Sequence, residues 1–231
     1  MHEIARRMNV DFLLRSGTTD LPSLDWLLDS VFMSTALAFD WSADDLALDF
    51  GAHIGSFALP LVRRFGCRAA CFEPDADSLR MARATAVLNG LDDRVMFSGC
   101  GIGGADGTVQ LYESDENWGH TIVEGGGEWN RLTGRSTEIR VLSLASALQQ
   151  AGPARRRFVK VNIEGAEFAM FEQASVDTLR QVACFVGEIH HDLGRPDFES
   201  CRAVLEAAGF EVVLHPFSEL RPLLVAHRHG V

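Results

Sequence analysis

The chain has 231 residues, a formal net charge of −11, and 47% apolar against 23% charged residues, which suits one ordinary domain of a soluble globular protein. The acidic balance argues against non-specific contact with nucleic acid or anionic membrane, both of which need clustered Lys and Arg. The five cysteines (Cys67, Cys71, Cys100, Cys184, Cys201) are odd in number, and three lie in apolar runs, which excludes a disulfide framework.

The one basic cluster, Arg155–Arg157, reads as a solvated loop. The N-terminal MHEIARRMNV has no apolar stretch of signal-peptide length, and no segment approaches roughly 18 uninterrupted apolar residues. These features predict a soluble, cytoplasmic protein.

Residues 1–44 read as a helical extension, in which PSLDWLLDSVFMSTALAF (22–39) carries apolar residues around much of its circumference, as a helix does that packs on a sheet edge or caps a pocket. From residue 45 to 231 short apolar runs alternate with amphipathic stretches. ALDF (47–50) predicts a buried strand, SFALPLVRRF (56–65) a helix, RAACFE (68–73) a second strand, and DADSLRMARATAVLNG (75–90) a helix with a Gly stop. RVMFSG (94–99), RFVKVNI (157–163) and VACFVGEI (182–189) predict three further strands, and FEVVLH (210–215) with RPLLVAHR (221–228) an antiparallel pair. This alternation predicts an α/β domain, doubly wound around a mostly parallel sheet. Residues 104–140 break the pattern with a strand-like TVQLYE (108–113) and a Gly- and Trp-containing stretch, which predicts a surface excursion bearing substrate loops.

The strongest local signal is Leu48-Asp49-Phe50-Gly51-Ala52-His53-Ile54-Gly55, directly after a strand and opening a helix. A ligand at the carboxyl end of a parallel sheet must approach the backbone closely, and glycine gives the room and torsions for that. The spacing is G-x-x-x-G, not the G-x-G-x-x-G that seats a pyrophosphate. Asp49 at the strand tip can accept from a ligand ammonium. Glu73, 18 residues after Gly55, ends the second strand where an acid grips ribose hydroxyls in doubly wound folds. An adenosine-containing ligand follows.

On these residues the sequence resembles the FkbM-type methyltransferase family. The landmarks are Arg15-x-Gly17-Thr18-x-Asp20, LDFGAHIG (48–55), FEPDADSLRMARATAVLNG (72–90), Lys160-Val161-Asn162-Ile163-Glu164-Gly165-Ala166-Glu167 and Glu188-x-His190. The fourth resembles the family's K-x-D-x-E-G-x-E. The resemblance implies the class I, Rossmann-like methyltransferase fold with a seven-stranded sheet, S-adenosylmethionine as cofactor with S-adenosylhomocysteine as product, and methyl transfer to an oxygen of a sugar, polyketide or other secondary metabolite. It implies that Asp49, Gly51, Ala52, His53, Gly55 and Asn162 line the methionine end, that Phe72 and Glu73 hold the ribose, that Asn89 faces the cofactor, and that Cys100, Gly101 and Ile102 border the adenine. Two positions depart from the family pattern: Asn162 stands for the usual Asp, and Ala145 follows Leu144 where Asp is common.

Methyl transfer from a sulfonium is an in-line displacement, driven by alignment and exclusion of water. A hydroxyl acceptor also benefits from a general base. His190 is the first candidate, with Glu188 two residues away on the same strand face to orient it; His191, His120 and His53 follow. Glu164 and Glu167, spaced i, i+3, bring acidity to the fourth strand tip. Trp118 and Trp129 either shape an acceptor site or pin their loop. No cluster has metal-ligand spacing, so no metal is expected. The expected partner is a small-molecule acceptor, with a homodimer left open. The alternatives are a nicotinamide-dependent oxidoreductase, disfavoured by the absent G-x-G-x-x-G, and a catalytically degenerate fold that binds cofactor or a partner protein.

Overall fold

A computed structural model describes residues 1–127, 129–193 and 197–228. The chain opens on an antiparallel hairpin, β1 (His2–Arg7) and β2 (Val10–Arg15), whose two-residue turn places Met8 and Asn9 at positive φ. This corrects the first part of the expected helical extension. Val10, Phe12 and Leu14 of β2 are buried while Asp11, Leu13 and Arg15 are not, so the period is two and a strand wins. The predicted helix over 22–39 is two helices, α1 (Asp20–Leu28) and α2 (Val31–Ala38), broken where the Ser30 hydroxyl donates to the Leu27 carbonyl.

The core elements follow as β3 (Leu46–Phe50), α3 (Ala58–Phe65), β4 (Arg68–Phe72), α4 (Ala76–Leu88) and β5 (Val95–Ser98). Next come β6 (Gly101–Gly103), β7 (Gly107–Ser114), β8 (Leu132–Ser143) and α5 (Leu144–Ala151). The chain continues through β9 (Arg157–Val161), α6 (Glu167–Gln173), α7 (Val176–Leu179), β10 (Cys184–Glu188) and a 3₁₀ turn at His191–Leu193. It closes with α8 (Glu199–Ala207), β11 (Glu211–His215) and β12 (Leu223–His227).

Seven strands form one sheet in the order β11-β12-β10-β9-β3-β4-β5, in which β12 is antiparallel to both neighbours and the remaining pairs are parallel. Every residue of β3 and β10 is buried, as strands covered on both faces require. One face packs against the hairpin, α1, α2 and α3; the other against α5, α6 and α8. The hairpin is pinned to α4 through Asn89, which closes the helix and exchanges two 2.9 Å hydrogen bonds with the backbone of Asp11.

The expected surface excursion over 104–140 is instead a second, three-stranded sheet in the order β6-β8-β7, around a small core of Leu111, Ile139 and Val141. The five cysteines form no disulfide among the described residues, and four of the five are buried. No described helix is long and apolar enough to cross a membrane.

Candidate active site

A cavity of about 580 Å³ opens at the carboxyl ends of β3, β4, β9 and β10, within the range of about 300–1,000 Å³ usual for small-molecule sites. Its floor is the turn after β3. Gly51 has φ +73°, and Gly51 and Ala52 both donate their N–H to the Phe72 carbonyl of the neighbouring strand. A Cβ on Gly51 would stand 1.8 Å from the Asn162 carbonyl oxygen, so this position admits no side chain. His53 follows at φ +49°, an uncommon torsion for a non-glycine residue, fixed by its N–H on Glu73 Oε2 at 2.8 Å.

Glu73, just past the end of β4, stands in the cavity wall, its second oxygen accepting from the Asp75 N–H at 2.9 Å. Burial pushes its carboxyl from the ordinary 4.5 up to about 7, against the partial relief of the two N–H donors. Asn162, just past the end of β9, also lines the cavity, and its Oδ1 is buried with no hydrogen-bond partner among the described residues. Phe72, Gly101 and Ile102 contribute apolar wall.

Four expected cofactor contacts do not line the cavity. Asp49 is wholly buried in the sheet, because the register sets it opposite Lys160 of β9, whose Nζ lies 3.2 Å from Oδ1. Lys160 also donates to the carbonyls of Gly51 (2.6 Å) and Phe50 (3.3 Å), so it braces the glycine turn from below. Burial raises the Asp49 carboxyl, with Lys160 pulling in the other direction. Asn89 is committed to the hairpin, as described above. Gly55 turns the chain at φ +82° against Leu59, and Cys100 packs with the core on the α5–α6 side of the sheet.

The polar end of the cavity is built around Glu164, which holds φ +48° and precedes Gly165 at φ +99°. Its carbonyl accepts from the Thr121 hydroxyl at 2.6 Å, and its Oε2 from Asn130 Nδ2 at 3.2 Å and Arg221 Nη1 at 3.4 Å. Glu188 ends β10 beside it, and both line the cavity. His190 does not. It is completely buried, with Nδ1 2.7 Å from Glu167 Oε1 and Nε2 3.3 Å from Glu164 Oε1 and 3.8 Å from Glu188 Oε2. Glu167 folds back from the start of α6 onto the N–H groups of Ile163 and Gly165, away from the cavity.

Burial favours a neutral His190 ring, but Glu164 and Glu167 outweigh it and hold the ring protonated well above its ordinary pKa. Glu164 is lowered, burial being outweighed by His190 and Arg221, whereas burial pushes Glu188 up to about 7. His190 is shut behind two carboxylates and does not reach the cavity, so the geometry does not set it against an acceptor as the expected general base; Glu164 and Glu188 are the carboxylates that face the cavity.

Of the other histidines named from the sequence, His53 and His120 line the cavity, and burial lowers the pKa of each. His53 Nε2 lies 3.1 Å from Arg15 Nη2, 2.9 Å from Asn117 Nδ2 and 3.3 Å from Asp20. Arg15 and Asp20, both in the R-x-G-T-x-D segment, are joined by hydrogen bonds of 2.8 Å, so this segment ties α1 to the glycine turn. The far wall comes from Trp26 of α1, Trp118, Trp129 and Phe217. Sequence reasoning passed over Asn117, Asn130 and Arg221, lone polar residues with no local motif; only the fold brings them to the site.

A seven-stranded, mostly parallel sheet with one inserted antiparallel strand, and a cavity at its strand ends, define the Rossmann-like methyltransferase fold. The methyltransferase FkbM domain profile matches residues 49–212, and the chain belongs to that family. Among solved structures it is similar to the methyltransferase FkbM from Methylobacillus flagellatus, at 16% identity and a TM-score of 0.54 over 82% of this chain and 45% of that one. It is also similar to TYW2 of P. horikoshii, solved in complex with MeSAdo, at 13% identity and a TM-score of 0.51 over 97% of this chain and 69% of that one. The chain thus spans less than half the length of the FkbM structure it matches. A search of curated proteins finds no match.

Proposed function

We propose that the chain binds S-adenosylmethionine in this cavity and methylates a hydroxyl of a small molecule, a sugar, polyketide or other secondary metabolite. The observation that carries the reading is the pair of polar groups flanking the Gly51 turn. On one side stands the Glu73 carboxyl, suited to ribose hydroxyls; on the other the buried, unpartnered Asn162 Oδ1, suited to an ammonium. The MeSAdo complex of TYW2 accords with it.

When bound, the cofactor supplies an electrophilic methyl on a sulfonium. The chain's own part is to seat it on the glycine turn, to exclude water with Trp118 and Trp129, and to direct the acceptor toward Glu188, the carboxylate placed to receive its proton. A net charge of −11 favours a small acceptor over RNA. A reducing, cytoplasmic location suits five cysteines that form no disulfide among the described residues.

Calorimetric titration should give micromolar binding of S-adenosylmethionine and S-adenosylhomocysteine and none of NADH. No binding of either adenosyl ligand would favour the degenerate-fold reading instead.

A second expectation concerns pH. Only the ionised Glu73 accepts from both ribose hydroxyls, so S-adenosylhomocysteine affinity should rise toward pH 7 and level off above it, the region of its raised carboxyl. Glu73→Gln should flatten this profile and weaken binding about 10- to 100-fold. In the free protein the sign is opposite: a folded pKa raised above 4.5 means that Glu73 lowers stability progressively as pH rises from there to about 7. An unchanged affinity profile in Glu73→Gln would remove Glu73 from the ribose site.

A further inference from the structure

We propose that Glu164, Glu188 and His190 bind one divalent cation of the Mn²⁺ or Mg²⁺ type at the polar end of the cavity. The sequence predicts no metal, because these residues are scattered through it; the fold brings a ligand atom from each within 4.8 Å of the others. A few tenths of an ångström of side-chain movement closes such a set around an ion with bonds of about 2.1–2.3 Å.

The second observation is the histidine itself. His190 Nε2 is completely buried and faces the two cavity-lining carboxylates at 3.3 and 3.8 Å, without a well-formed hydrogen bond to any of the described residues. Its Nδ1 is engaged by Glu167 Oε1 at 2.7 Å, and Glu167 is fixed by backbone N–H groups. An outer carboxylate that orients a histidine and fixes its tautomer is the usual support of a metal-bound imidazole.

Glu164 is divided in the same sense: Oε2 takes Asn130 and Arg221, while Oε1 faces His190. Arg221 is shared between Glu164 Oε2 at 3.4 Å and Asp192 at 2.9 Å, which leaves Glu164 Oε1 to the histidine side. Two carboxylate oxygens and one imidazole suit a hard to borderline cation. Because Glu164 and Glu188 line the cavity, the remaining coordination positions face an acceptor. The ion would hold a hydroxylated acceptor by its oxygen; that role rests on the methyl-transfer reading, whereas the binding of the ion does not.

The test is Mn²⁺ titration of metal-stripped protein, followed by the room-temperature resonance of the free aqua ion. One equivalent should be taken up, and pulsed resonance of the bound ion should show nitrogen coupling from one imidazole. Glu188→Gln should weaken uptake at least tenfold, while Asp177→Asn, at a side chain 94% exposed, should not. Uptake without nitrogen coupling, uptake unchanged in Glu188→Gln, or no uptake at millimolar Mn²⁺ overturns the proposal. S-adenosylhomocysteine titration of the same metal-free protein reports separately on the cofactor site.

Discussion

Gly51→Ala should destabilise the fold by about 3–4 kcal/mol, against about 1 kcal/mol for Gly66→Ala. Both glycines sit at left-handed torsions, φ +73° and φ +66°, so both substitutions carry the same intrinsic penalty. They differ in what the new methyl meets. At Gly66 nothing lies within 4 Å; at Gly51 the Asn162 carbonyl oxygen lies 1.8 Å away, and it is backbone that cannot swing aside. Relief requires β3 and β9 to part at the ends that form the cavity floor. Chemical denaturation of the two variants measures the difference directly, and equal losses would mean that torsion alone, not close approach, fixes Gly51. Any folded Gly51→Ala protein should also lose S-adenosylhomocysteine binding.

Lys160→Met should cost about 3–5 kcal/mol at neutral pH, the range for removing one partner of a buried pair. Lys160 and Asp49 are almost wholly buried, and the substitution leaves the Asp49 carboxylate and the carbonyls of Phe50 and Gly51 without their cation. The deficit should shrink as pH falls. Burial already raises the Asp49 carboxyl, removal of Lys160 raises it further, and an acid with a raised folded pKa loses stability as pH rises through the interval above its unfolded value. Asp49→Asn in the Lys160→Met background should recover part of the loss. Denaturation midpoints at acidic and neutral pH for the three proteins form the check; a pH-independent deficit with no recovery would show that Lys160 acts through packing alone.

The sheet was legible because its strands are continuous apolar runs whose length and spacing leave little alternative to a covered parallel sheet. The cavity floor and the wall beside it were legible because Gly51 and Glu73 directly follow two successive predicted strands, β3 and β4. The N-terminal hairpin was missed although Val10, Phe12 and Leu14 alternate, since the apolar helix beyond them dominated the reading of residues 1–44. The strand Leu132–Ser143 was missed because it is polar over most of its length, with only its last few residues reaching a core.

The misplaced site residues share one cause. A sequence motif states which residues travel together, not which way each faces. Asp49 and Glu73 both belong to strand ends, but register sets Asp49 against Lys160 and leaves Glu73 in the wall. Glu188 and His190 are two residues apart, yet only Glu188 lines the cavity while His190 is shut behind it. The cluster around Glu164 could not be read locally, because Asn130, His190 and Arg221 reach it from three distant parts of the chain.

Trp26 of α1 and Phe217 meet edge to face, with ring centroids 5.9 Å apart, above a cavity whose floor is the Gly51 turn. Both residues lie outside the span that the family profile matches, one before residue 49 and one after residue 212. This part of the roof is therefore encoded apart from the floor, although Trp118 and Trp129 of the same wall lie within the matched span. On the proposed reading, substitutions at Trp26 and Phe217 would retune the acceptor while the glycine turn, Lys160 and Glu73 stay under their own constraint, so a lineage built this way could diversify its targets without reinventing its reagent.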